Sequence, residues 1–144
     1  MKIILKLAAM MILFSSSILI GQNDTSNWGR KSHYNKMYNV KTFTEIKGEI
    51  TSIEQIDMKK GTSTGIHIIL KTETDTYPVH LGPKWYLDKH VVQLKVGDKV
   101  IVKGSKVSID SKPTIIAKEV IKDGNILNLR DQTGKPVWAG KGNK

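Results

Sequence analysis

The sequence has no cysteine. That absence excludes a disulfide scaffold, a thiolate metal site, a cysteine nucleophile and haem attached through cysteine. It also excludes lipid acylation at a cysteine. Acidic residues are scarce, 13 against 23 Lys and Arg, for a formal charge of +10, so a large partner is expected to be anionic. The chain has no GxGxxG and no GxxxxGK[ST], so nothing in it cradles a nucleotide phosphate. One serine, Ser63 in GTSTG (61–65), matches GxSxG, but the stretch reads as a loop leading into a strand and not as the strand-to-helix turn of a nucleophile elbow. At 144 residues, 39% of them hydrophobic, the chain suits one ordinary domain with a modest core.

Long apolar runs are missing everywhere but at the start. Lys2 and Lys6 precede an unbroken apolar stretch from Leu7 to Phe14, followed by Ser15-Ser16-Ser17, Ile18-Leu19-Ile20 and the small residue Gly21. A charged start, an apolar stretch of about 7–15 residues and a small residue at the break describe a secretory signal peptide. A membrane anchor would need about 18 or more apolar residues without the serine interruption. Residues 1–21 are therefore expected to be an export signal cut near Gly21-Gln22, leaving no transmembrane segment and a periplasmic or secreted protein. The mature chain keeps 21 basic and 13 acidic groups. Outside the cytoplasm there is no ATP or NAD supply, a second argument against nucleotide-driven chemistry.

Residues 22–42 form a basic arm carrying Trp28, Tyr34 and Tyr38, without strand or helix period, and are expected to be a flexible tether. From Phe43 the signals are β. In 48–56 the apolar residues Ile50, Ile53 and Ile56 slip from period two to three, as in a coiled or bulged strand. Residues 58–65 read as a loop. Ile66, Ile68 and Leu70, then Tyr77, Val79 and Leu81, alternate on the two arms of a hairpin. Pro78 lacks a backbone donor, so its strand is an edge or is bulged there. Gly82-Pro83 opens one or two helical turns through Trp85. Gly97-Asp98 turns into a strand with Val100 and Val102 on one face. Two more strands follow, over 114–121 and 126–130.

Short, regularly punctuated strands with little helix argue for a small closed barrel. The order places a short helix between strands 3 and 4 of five. The expected fold is all-β: a five-stranded OB-fold-like barrel over residues 43–131, with an appended C-terminal strand and a tail over 132–144.

Several strings resemble a group of exported bacterial proteins that share a domain with the magnetosome proteins MamS and MamX. They are YNKMYNVKT (34–42) before GEI (48–50), GIHIILKT (65–72), VHLGPKWYL (79–87), GDKVIVKGS (97–105), IIAKEV (115–120) and LRDQTGKPVW (129–138). The resemblance implies an exported β-barrel domain. The haem-binding CxxCH of the magnetochrome modules is absent, and magnetosomes are not implied. A looser similarity, to periplasmic bacterial OB-fold proteins of the YdeI stress-tolerance type, points the same way.

The sharpest local inference concerns the hairpin histidines. If its two apolar sets share a face, a turn at Glu73-Thr74 puts His67 directly opposite His80. A turn at Thr74-Asp75 pairs Ile69 with His80 and leaves His67 one diagonal away. In both registers the imidazoles share a face, about 4.5–8 Å apart at Cβ. Such a pair could take Cu(II), Zn(II) or Ni(II) with a third ligand from Asp, Glu, His33 or His90, or stand as ordinary strand residues. Glu49, Glu54, Glu73 and Glu119 look like solvent-side strand residues, not a hydrolytic pair. Base stacking is disfavoured, because the polar hairpin face offers His67, Ile69, Lys71, Pro78 and His80 but no aromatic. Arg130-Asp131 reads as a local ion pair, and Trp138 as folding back on the sheet. The expected function is an exported, non-enzymatic OB-fold binding or accessory module of the envelope that requires no cofactor. Its partner is an envelope protein or an anionic surface or ligand. The candidate contact surface is His67, Ile69, Lys71 and His80, with Lys84 and Trp85 beside them. The alternatives are a copper- or zinc-handling protein using His67 and His80, and weak nonspecific nucleic-acid binding that salt abolishes.

Overall fold

Strand β1 (Phe43–Ile56) begins paired with one neighbour and ends paired with another, and its sequence explains how. Its first half runs antiparallel to β4 (Lys99–Ile109), from Phe43↔Ser105 to Glu49↔Lys99. Its second half runs antiparallel to β2 (Gly65–Lys71), from Glu49↔Lys71 to Ile56↔Gly65. The handover falls at Gly48. A side chain there would place its Cβ 2.5 Å from the Lys71 carbonyl oxygen, so only glycine lets the strands approach this closely. Three residues later the register shifts between Ile50 and Ser52. The extra residue, Thr51, accounts for the slip from period two to three, and Ile50 and Ile53 both stay turned to the interior.

The structure is a computed structural model that describes residues 36–57 and 64–139. β2 turns through Glu73-Thr74 into β3 (Thr76–Pro83), with Thr72 N–H donating to the Asp75 carbonyl at 2.8 Å. β4 returns as β5 (Lys112–Lys122), and β6 (Asn125–Asn128) is appended to the end of β5. The strands run β3-β2-β1-β4-β5-β6, and a parallel pairing of β3 with β5 at Val79↔Ile115 and His80↔Ile116 closes the first five into a barrel. Before that pairing β3 has one strand neighbour only, and Pro78 lies on that free edge as expected. Gly104 sits at a register shift against β5, where a Cβ would meet the Ile116 carbonyl and come within 2.9 Å of the Ala117 Cα.

The interior holds Ile50, Ile68, Leu70, Val79, Leu81, Val102, Ile115, Val120, Leu127 and Leu129, each at 0–1% exposure. Fully burying such a side chain is worth about 1.5–3 kcal/mol. One barrel end is capped by α1 (Lys84–Leu87), a single turn whose Trp85, Tyr86 and Leu87 pack on the core. The helix is a single turn, within the one or two the sequence allows. After it, Gly97-Asp98 clips the chain to β1: Ile50 N–H donates to Asp98 O and Gly97 N–H to Ile50 O. Burial alone would raise the Asp98 pKa, but hydrogen bonds from the Lys122 ammonium and the Lys95 backbone hold it below the usual carboxylate range. Among the described residues no helix is long and apolar enough to cross a membrane.

Both flanks of the barrel lie against it. Trp138, at 2% exposure, belongs to the core cluster and presses on Gly82, as its position after Gly134-Lys135-Pro136 suggested. Arg130 does not pair with Asp131. Asp131 instead closes a turn, its Oδ1 accepting from Thr133 N–H, the Thr133 hydroxyl and Lys135 N–H. Arg130, at 3% exposure, donates to the Gly134 carbonyl and lies over the rings of Trp138 (5.4 Å) and Tyr38 (6.0 Å). Short carboxylate-to-backbone bonds satisfied Asp131 locally, which left the guanidinium to the aromatics. On the other flank, Asn39 N–H and the Thr42 hydroxyl meet the buried Ser105 hydroxyl at 2.9 Å. Tyr38 packs on Gly134. The export signal, most of the basic arm and the 58–63 loop lie outside the described residues.

Candidate functional site

Cross-strand pairing assembles the site. His67 on β2 stands opposite His80 on β3, the register set by the Glu73-Thr74 turn. On its other side His67 faces Glu54 of β1, and His80 faces Ile116 of β5, which faces Ser105 of β4. Paired residues share a face, so Glu54, His67, His80, Ile116 and Ser105 form one row on the side of the sheet turned away from the core, with Ile116 and Ser105 fully buried there. Their strand neighbours Ile68, Val79, Ile115 and Gly104 take the opposite face, and the first three lie in the core.

The two imidazoles stack, with ring centroids 3.6 Å apart and planes 7° from parallel. Both are half-buried. Burial pulls His67 down to about 4. Burial, then the neighbouring His67, then the Arg130 guanidinium bring His80 to about 3. Rings this close cannot both carry charge in a partly dry setting. At neutral pH the pair is therefore uncharged, two flat polar surfaces each with one donor and one acceptor nitrogen. Arg130 itself is drawn down to about 10 by burial.

Two rungs further along the same face, Ile69 lies between Ser52 and Pro78, and Lys71 lies between Glu49 and Thr76. His67, Ile69, Lys71 and His80 thus share one outer surface. Lys84 and Trp85 do not extend it. They sit on α1, where Lys84 pairs with Asp88 one turn on and Trp85 packs on the core under the Lys89 ammonium. Sequence reasoning missed Glu54 and Ile116 as members of the row. Glu54 comes into line only because the bulge at Thr51 shifts β1, and Ile116 only because the barrel closes.

The arrangement can be tested against a Cu or Zn site. Imidazole lone pairs lie in the ring plane, and parallel stacked planes do not converge on one ion; an ion bound in the plane of one ring stands well out of the other. Among the described residues no three His, Asp or Glu come together to hold a metal. His90 packs edge-on to Tyr86, and His33 lies outside the described residues. As they stand, the residues present do not fit a chelated ion.

A closed five-stranded barrel with a short helix between its third and fourth strands, an added sixth strand and a buried aromatic clasp at its flank is an OB-type barrel. Its sequence places it further: the model of the MamS/MamX magnetosome protein family matches residues 42–127. The chain belongs to that family. A search of curated proteins finds no match.

Proposed function

We propose that the chain is an exported, non-enzymatic accessory module of the bacterial envelope that docks a partner protein on the outer face of β2 and β3. The observation that carries this reading is the neutral, half-buried imidazole stack at the centre of that face. General acids and bases work best with pKa values near the working pH. Imidazoles held near 4 and 3 have no proton to give at neutrality and little basicity, so they suit contact better than proton transfer. Neutral rings beside Ile69 and Pro78 lose less on desolvation than charged groups would, which suits the centre of a protein interface. Lys71 at the margin suits a polar rim. In OB-type barrels the surface of strands 2 and 3 is the usual docking face.

On the docking face Lys71 stands opposite Glu49 and His67 opposite Glu54, so the face itself is not a basic patch for a polyanion. The described residues hold 15 basic against 12 acidic side chains. The rest of the excess falls on Lys2, Lys6, Arg30, Lys31, Lys59, Lys60, Lys141 and Lys144, outside them. The face also has no aromatic for base stacking.

Two measurements test the reading. The mass of the protein recovered from the periplasm or medium should match a chain beginning at or near Gln22; a cytoplasmic, full-length product ends the export part. A photo-crosslinking residue at Ile69 should give a discrete protein adduct in living cells, lost when His67 and His80 are both replaced by Val. The same residue at Lys112, in the turn between β4 and β5, should give none. Adducts equal at both positions, or absent at Ile69, end the docking part.

A further inference from the structure

The helix-capped end of the barrel contains a second feature, independent of the histidine face. Between α1, the chain just after it and the barrel lies a cavity of about 170 Å³. Eight of its twelve lining residues are aliphatic, among them Ile53, Ile68, Leu81 and Leu127 from the strands and Val92 and Leu94 from the segment after α1. The other four, Gln55, Lys84, Asp88 and Gln93, are polar. The opening is partly exposed to solvent and has room for a short alkyl segment. Aliphatic residues together with a few polar ones suit an amphiphilic small molecule.

The polar side chains define the head of such a guest. The Lys84 ammonium has three donors. Asp88 takes one, in a surface pair whose side chains are 40% and 55% exposed. Exposed pairs one helical turn apart hold weakly, so the remaining donors can turn to a second carboxylate without breaking anything the fold needs. Lys84 and Asp88 are the charged residues of the lining and balance each other, so a carboxylate head is held by exchange with Asp88 and not by an excess of positive charge.

We infer that the helix-capped mouth binds a medium-chain carboxylate, its alkyl end among Ile53, Val92, Leu94 and Leu127 and its head on Lys84. A carboxylate there competes with Asp88 for one ammonium, which fixes the signs of the test. Octanoate is titrated into the mature chain by calorimetry, with octan-1-ol as the uncharged probe and His67→Val/His80→Val as an unrelated control. Octanoate should bind saturably at one site, at least about tenfold tighter than octanol. Lys84→Gln should remove that tenfold preference. Asp88→Asn should tighten octanoate several-fold, and Val92→Phe, which fills the cavity, should abolish binding. The histidine variant should bind as the parent does. Lys84 and Asp88 are exposed, so their variants report even if Val92→Phe folds poorly. Equal affinity for the two probes, non-saturable uptake, or indifference to Lys84→Gln overturns the proposal, and none of these results bears on the docking face.

Discussion

Acid should loosen this protein earlier than its carboxylates alone would allow. An ordinary histidine in the unfolded chain titrates near 6.5, whereas His67 and His80 are held at about 4 and about 3. Between those limits the unfolded state binds up to two protons that the folded state refuses. The pair's contribution is therefore fully present above pH 6.5 and is lost as pH falls through the folded values. The limiting slope near pH 5 is two protons, or about 2.7 kcal/mol per pH unit. His67 alone, if fully dry, would account for about 3 kcal/mol across the window. Both rings keep some contact with water, which screens the effect, so a combined loss of about 3 kcal/mol between pH 7 and 4.5 is the expected size. The two protons add as coupled steps that belong to the pair and not to either ring. Urea midpoints at pH 7, 6 and 5 measure the slope in a range above the titration of ordinary carboxylates. His67→Val/His80→Val should flatten it, since paired β-branched residues suit adjacent strands. Equal stability of the parent at pH 7 and pH 5, or a His67 or His80 Hε1 resonance titrating near 6.5, would refute the reasoning.

Gly104→Ala drives a Cβ into the Ile116 and Ala117 backbone and should cost at least about 3 kcal/mol by urea unfolding. Gly124→Ala, with φ at +78° but nothing within 4 Å, should cost only about 1 kcal/mol. Trp138→Ala should cost about 3–5 kcal/mol and expose Gly82 and Tyr86, seen as a lower thermal midpoint. Lys103→Met, which removes the bridges to Glu45 (3.7 Å) and Glu119 (3.4 Å), should change stability by no more than about 1 kcal/mol, because Glu45 is exposed and Lys118 still serves the partly buried Glu119.

The fold was legible where periodicity and turn chemistry agreed. Ile66, Ile68 and Leu70 against Tyr77, Val79 and Leu81 fixed a shared face, and Pro78 marked a free edge. The slipped isoleucines of β1 announced its bulge. Pattern alone left two hairpin registers open; the Thr72–Asp75 turn decided between them, with the Thr72 hydroxyl accepting from the Asp75 N–H. What sequence could not supply was anything created by closure. Ile116 reads as one more apolar residue in an apolar strand. It lies on the outer face because β5 meets β3 in parallel, and that pairing spans more than thirty residues of chain. Arg130 misled for a different reason: its neighbour Asp131 looked like a partner, yet a carboxylate followed by Thr133 and Lys135 N–H groups closes a turn on itself.

That misplaced arginine links the tail to the docking face. Its charge lies close enough to His80 to lower that ring's pKa, and it acts on His80 but not on His67. A residue just past β6 thus lowers further the pKa of a ring on a surface formed fifty positions earlier in the chain. Arg130→Met keeps a long side chain over Tyr38 and Trp138 while removing the charge. It should raise the His80 pKa, and move His67 only through the coupling within the stack. Since burial is the larger cause, His80 should remain well below 6.5 even then. Histidine Hε1 titrations of parent and variant measure both shifts. If His80 does not move, or if His67 moves more than His80, then Arg130 has no electrostatic role in the stack.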